Sequence, residues 1–184
     1  MDYFYYFLKN TNKKKMDFYL STGRKIENLE KYIKDYIKKY PDVTVYVGTD
    51  SQKRKRRKIN YVTTICFRHP MNGVHIIHRR ETGKYTKDLF LKLWNEVQMT
   101  VDVLKIINNS TFCKFSETGE VSTSEDWIDN KKIIVDLDLN SLKKWESNIA
   151  HDAAKGYITS LGYLVRTKPE AWAASRASNH LSKK

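Results

Sequence analysis

Four carboxylates stand at places in this sequence where they could meet and hold a metal ion. Asp50 follows a β-rich run, Val43-Thr44-Val45-Tyr46-Val47-Gly48, and Asp136 and Asp138 close a second apolar run that begins Ile133-Ile134-Val135. Side chains two apart on a strand share a face, so Asp136 and Asp138 are expected to point the same way. If the two strands are parallel neighbours, their C-terminal ends lie together and Asp50 meets Asp138 at one edge of a sheet. Carboxylates at such short range repel and raise each other's pKa unless a cation compensates. Hard oxygen donors with few other ligand types suit Mg²⁺ or Mn²⁺. Glu96 sits three residues after Leu93 and seven after Leu89, at the rim of an apolar helical stripe, between core and solvent. Near the end of the chain, Ser175 and Asn179 share a helix face at i, i+4. Taken singly, each acid has an ordinary structural reading: a turn or helix cap for Asp50, a turn signal for Asp138-Leu139-Asn140, a solvated surface for Glu96.

A run of cations follows Asp50 almost directly: Lys53, Arg54, Lys55, Arg56, Arg57 and Lys58. As a loop beside an acidic metal site it would guide a phosphate backbone inward without reading sequence. The alternative is a solvated hairpin tip, or a sheet edge guarded by charge. The whole chain leans the same way. Its 34 Lys and Arg against 21 Asp and Glu leave a net charge of +13, a field that attracts polyanions, of which nucleic acid is the commonest large one. Other residues carry less chemistry. Trp172 suits core packing better than a base-stacking platform. His75 and His78, three apart in a strand, face opposite sides and make a poor metal pair. His151-Asp152 reads as surface, and Cys66 as a buried, inert thiol.

The elements that must position these groups can be read from periodicity. Ile26, Leu29, Ile33, Tyr36 and Tyr40 form one helical stripe, opened by Ser21 or Thr22 as cap and closed by Pro41-Asp42. Strands are expected at 43–48, 59–67 and 74–79, with a turn at Pro70-Met71-Asn72-Gly73, which suggests an antiparallel meander. Phe90, Leu93, Val97, Val101 and Leu104 predict a long helix over about 86–108. Residues 114–131 are polar and read as a loop; 133–138 is a buried strand, 144–160 a helix and 163–166 a short strand. Lys168-Pro169-Glu170 opens a last helix. The resulting class is α/β: a mixed five-stranded sheet, three antiparallel strands and then β-α-β units, flanked by helices and preceded by an extra N-terminal helix.

Length and composition bound the rest. A chain of 184 residues fits a single domain, here a core over 18–184 with residues 1–17 as an N-terminal extension. No apolar run approaches the roughly 18 residues of a membrane helix, and the aromatic start, Tyr3 to Leu8, lacks the pattern of a signal peptide. Cys66 and Cys113 do not make a disulfide framework, and a cytoplasmic, reducing setting is the expectation.

Four blocks carry a family likeness: Gly48-Thr49-Asp50-Ser51-Gln52, the strand Tyr61 to Arg68, Trp94-Asn95-Glu96-Val97, and Lys168-Pro169-Glu170-Ala171-Trp172-Ala173-Ala174-Ser175. Together they resemble the YkuK-type ribonuclease-H-like family, from about residue 18 to the C-terminus. The resemblance implies the ribonuclease H fold, in which an acidic cluster binds two divalent metals. It implies Asp50 as the first-strand acid, Glu96 as the helix acid and Asp138 as the fourth-strand acid. Asp136 stands where the family commonly has His, and the family's final Asp falls at Asn179, a neutral oxygen donor. The function implied is a nuclease that hydrolyses phosphodiester bonds of RNA, RNA–DNA hybrid or DNA with Mg²⁺ or Mn²⁺. The alternative is a nucleic-acid-binding module that keeps the fold with little or no turnover.

Overall fold

A computed structural model of the chain describes residues 16–55, 57–71, 73–109 and 133–173. In chain order the elements are β1 (Phe18–Leu20), β2 (Lys25–Ile26), α1 (Leu29–Lys39), β3 (Thr44–Arg54), β4 (Lys58–Arg68), β5 (Val74–Lys84), α2 (Leu89–Asn109), β6 (Ile133–Asn140), a 3₁₀ turn (Glu146–Ala150), α3 (His151–Ser160) and β7 (Leu164–Lys168). The described strands make one mixed sheet of seven, in the order β2-β1-β5-β4-β3-β6-β7. The α/β class and the antiparallel meander followed by parallel strands are as expected; the sheet is two strands wider.

The two extra strands come from residues 18–26, whose end the sequence pattern assigns to the first helix. Gly23, at φ 88°, turns the chain back on itself, and its N–H donates to the Leu20 carbonyl at 2.9 Å. Ile26 is buried as a strand residue rather than as the first step of a helical stripe. The helix instead starts at Leu29, where the Asn28 side chain accepts a hydrogen bond from the Lys31 N–H at 2.9 Å. That cap satisfies an orphan donor of the first turn, a role Ser21 and Thr22 lie too far upstream to fill.

Strand alternation sorts the core. Val45, Val47, Ile65, Phe67, Ile77, Val135 and Leu137 face one side and pack with Ile33 and Ile37 of α1, Val97, Val101 and Leu104 of α2, and Ala154 and Ile158 of α3. Tyr46, Cys66 and Ile134 face the other, where Trp172 and Ala173 cover them. Trp172 is a packing residue there, its ring 5.1 Å from that of Tyr46. Burial pushes the Cys66 thiol up to about 12, so it is inert as expected.

Three local expectations change. β3 does not stop at Gly48 but runs through Asp50 and into the basic stretch, pairing with β4 from Thr44↔Arg68 to Arg54↔Lys58. The cationic loop therefore shrinks to residues 55–57, with Lys53 and Arg54 ending one strand and Lys58 starting the next. The helix expected over 144–160 is a 3₁₀ turn followed by α3. His151 is buried at that junction rather than on the surface, with Nδ1 2.7 Å from the Asp152 carboxylate and Nε2 3.4 Å from the Thr167 hydroxyl. His75 serves packing too: its Nε2 is 2.8 Å from the Tyr32 hydroxyl. The aromatic start, Arg56, Cys113, the 114–131 loop, Ser175 and Asn179 lie outside the described residues. No described helix is long and apolar enough to cross a membrane.

Candidate active site

The site forms where two parallel strands part. β3 and β6 pair at Val45↔Ile133, Tyr46↔Ile134 and Val47↔Val135 and then separate. Carried three residues further, the same register would set Asp50 opposite Asp138. The crevice beyond the carboxyl ends of diverging parallel strands is where α/β sheets bind ligands. Here it is a cleft of about 500 Å³ lined by Asp50, Glu96 and Asp138, with Lys92, Lys144 and Lys168 among them.

Each acid is held by its own element. Asp50 belongs to β3, and its Oδ1 accepts the Ser51 N–H at 2.7 Å. Its chain neighbours face α2 instead. The Ser51 hydroxyl donates to Glu96 Oε1 at 2.6 Å, fixing the glutamate against the body of β3. A buried hydroxyl relay braces the same helix: Thr100 donates to the Glu96 carbonyl at 2.9 Å, and Thr49 lies 2.8 Å from Thr100 and 2.9 Å from Thr63. Glu96 is only 5% exposed, so the surface role open to it in isolation does not hold. Asp138 comes from β6, its Oδ1 2.9 Å from the Lys168 ammonium. That oxygen is buried and has no aligned hydrogen bond among the described residues.

The charge balance is unfavourable for the acids as they stand. Burial pushes Asp50 up to about 6, and the negative charge of Asp138 adds to the rise. Burial pushes Glu96 further, to about 8, against the opposing pull of Lys92, whose ammonium is 3.7 Å away. A carboxyl whose pKa rises on folding keeps its proton in the native state after the unfolded chain has lost it. Its contribution to stability is therefore lost as pH rises from the unfolded value through the folded one. Metal-free protein is expected to lose stability between about pH 5 and pH 8, and Glu96→Gln to flatten that loss. At pH 8 the variant should be more stable than wild type by on the order of 3 kcal/mol. Urea titrations in chelator at several pH values measure this; a wild-type stability that climbs across the window contradicts it.

Asp136 does not join the cleft. It is fully buried, and its carboxylate takes a bidentate grip from Arg166, at 2.8 and 2.9 Å, and the N–H groups of Trp172 and Ala173 at 2.9 and 2.8 Å. Its oxygens are committed to tying β7 and the segment after it to the sheet. Asp136 and Asp138 do share a face, but Arg166 and Lys168, two apart on β7, divide them between two tasks. Among the described residues, no three His, Cys, Asp or Glu side chains are gathered into a ready metal cage. The donor set around the cleft nonetheless suits a hard divalent cation: three carboxyl groups, two of them pushed toward protonation chiefly by burial, and a buried Asp138 oxygen whose close partner is the Lys168 ammonium.

The lysines of the cleft were not singled out by motif reading. Lys92 could have been found as the residue four before Glu96, one turn away on the same helix. Lys168 sits in the Lys168-Pro169-Glu170 block, yet only its register beside β6 brings it to Asp138. Nothing in the sequence marks Lys144.

Residues 26–183 match the Ribonuclease H-like family. With that match over most of its length, and with a three-stranded meander leading into parallel β6 and β7, the chain belongs to the ribonuclease H-like family. Neither the curated proteins nor the solved structures include a significant match.

Proposed function

We propose that the protein is a divalent-metal-dependent nuclease that hydrolyses phosphodiester bonds of RNA, RNA–DNA hybrid or DNA. The observation that carries this is the convergence of Asp50, Glu96 and Asp138 on one cleft at the parting of β3 and β6. Asp50, Asp138 and Glu96 would hold Mg²⁺ or Mn²⁺, and Asn179 could add a neutral oxygen. The cation supplies Lewis-acid stabilisation of the charge that develops on the phosphate oxygens.

The chain's own groups do the rest. Ser51 is a positioning residue, since its hydroxyl holds Glu96 in place. Lys92 pairs with Glu96 and Lys168 with Asp138, and with Lys144 they set cations beside the acids where a phosphodiester would enter the cleft. The field that draws a polyanion toward the molecule is that of the whole chain, at +13. The strands and α2 exclude water from one side of the acids, so charges there act in a medium that screens them weakly.

Differential scanning fluorimetry with MnCl₂ or MgCl₂ tests the reading directly. Wild type is expected to melt several degrees higher with millimolar cation than in chelator, because a ligand that binds only the folded state stabilises it. No shift in wild type would count against a metal site. A second reading has one specific support: Lys168 already lies 2.9 Å from Asp138, where a cation would otherwise sit. On that reading the fold binds nucleic acid with little or no turnover, and salt-sensitive binding without cleavage in either metal would favour it.

A further inference from the structure

We propose that the nucleic-acid backbone reaches Asp50 across the outer face of the β3–β4–β5 meander, along a strip that recruits Lys84 and Arg80 of β5 to the cations of the hairpin. This rests on the nucleic-acid reading above and says where on the molecule the polyanion lies.

The register builds the strip row by row. Arg54 pairs with Lys58, and Lys58 with Lys84, so three cations stand in line across three strands at about 4.8 Å intervals. The next row on the same face is Gln52, Asn60 and Thr82, and the one after it Asp50, Val62 and Arg80. Val62 is buried, so the path to Asp50 follows β3 past Gln52 while Arg80 flanks it on β5. Arg54, Lys58, Arg80 and Lys84 are exposed. Alternation places these side chains on the face turned away from α1 and α2. Asp50 is the one acid on this face of the described meander.

Like charges directly opposite one another destabilise a sheet, and Lys58 and Lys84 are such a pair. An anion lying over the row removes that repulsion, and a phosphate backbone brings several at once. The middle row is neutral and hydrogen-bonding, with the Thr82 hydroxyl donating to Asn60 Oδ1 at 2.9 Å. No cation of that row competes with the strip's far end for the backbone. The four residue steps from Arg54 back to Asp50 span roughly 13 Å, about four phosphates of a stacked strand. Lys53 belongs elsewhere: alternation turns it to the other face, where its ammonium lies 4.7 Å from the centre of the Tyr85 ring. The hairpin cations are thus sorted between two faces and do not act as one tip.

Fluorescence anisotropy with a labelled RNA oligonucleotide of about 20 residues, alone and as a DNA hybrid, tests the strip. The variant Arg54→Gln/Lys58→Gln/Lys84→Gln is compared with a charge-matched control on α1, Lys31→Gln/Lys38→Gln/Lys39→Gln. At 0.15 M salt the strip variant is expected to bind about 10- to 50-fold more weakly, with a salt slope shallower by about 2 to 3, while the control changes less than about threefold. Its melting temperature should equal or exceed that of wild type, because a repulsion has been removed. Lys84→Gln alone should weaken binding about three- to fivefold, and it decides the matter if the triple variant misfolds. Equal weakening by the two triple variants would overturn the strip and leave the nucleic-acid reading standing. Failure of wild type to bind either oligonucleotide would defeat that reading, and the strip with it.

Discussion

Asp50→Asn is expected to abolish metal-dependent cleavage, lowering it at least about 10³-fold, equivalent to 4 kcal/mol or more of transition-state stabilisation. The carboxylate lines the cleft with Glu96 and Asp138, and its charge and theirs act on one another there. Asparagine keeps its shape and can still accept the Ser51 N–H, so the strand end should not rearrange. The loss is chemical: the charge that would hold a cation is gone. Stability should move the other way. Burial and Asp138 push the Asp50 carboxyl up to about 6, so a neutral amide there relieves strain in the metal-free protein. The expected signature is an inactive variant that melts at or above wild type in chelator and no longer responds to Mn²⁺. Cleavage assays on labelled RNA and hybrid, run with fluorimetry, read both. Undiminished cleavage by a folded Asp50→Asn would remove the acid cluster from the mechanism.

Asp136→Ala should have the largest effect on stability, about 3–5 kcal/mol. The substitution leaves the Arg166 guanidinium without its bidentate partner and strips the Trp172 and Ala173 N–H groups of their acceptor. A half-buried cation and two N–H donors, one of them buried, lose their compensation together, which costs far more than the pair contributes when intact. Because these bonds join β6 to β7 and to the segment beyond it, the C-terminal part of the sheet should open first. Limited proteolysis should then cut near residues 169–173 well before the meander is attacked. Asp136→Asn should cost less and keep the Mn²⁺-induced melting shift, since Asp136 lies outside the cleft. Loss of that shift in a folded Asp136→Asn protein would return the residue to the metal site.

Much of the architecture was legible because it follows from periodicity. The β-branched runs after Val43, Ile59 and Val74 and the apolar stripe from Leu93 to Leu104 allow little else, since side-chain spacing decides which faces can be buried. The hairpin at residues 18–26 was not legible. Ile26 stands three before Leu29, a helical interval, and only Gly23 at positive φ with the Asn28 cap separates strand from helix. The length of β3 was hidden for a related reason. Polar residues from Thr49 to Arg54 look like a loop, yet Thr49 and Ser51 satisfy buried partners on α2 while Asp50 and Arg54 face outward.

The candidate site divides along the same line. Residue order alone places Asp50 and Asp138 at the ends of two β runs and Glu96 on the rim of a helix, because composition and spacing determine secondary structure and which side is apolar. Sequence also determines the charge excess, and with it the attraction to polyanions. What it could not determine is how two acids only two residues apart divide their work. Asp136 and Asp138 have the same strand and the same face; one is locked by Arg166 and the other opens onto the cleft beside Lys168. That difference arises from the register of β7 against β6, a contact between segments some thirty residues apart. Pairings at that range depend on how the sheet closes, and so do the buried charges whose pKa values they set.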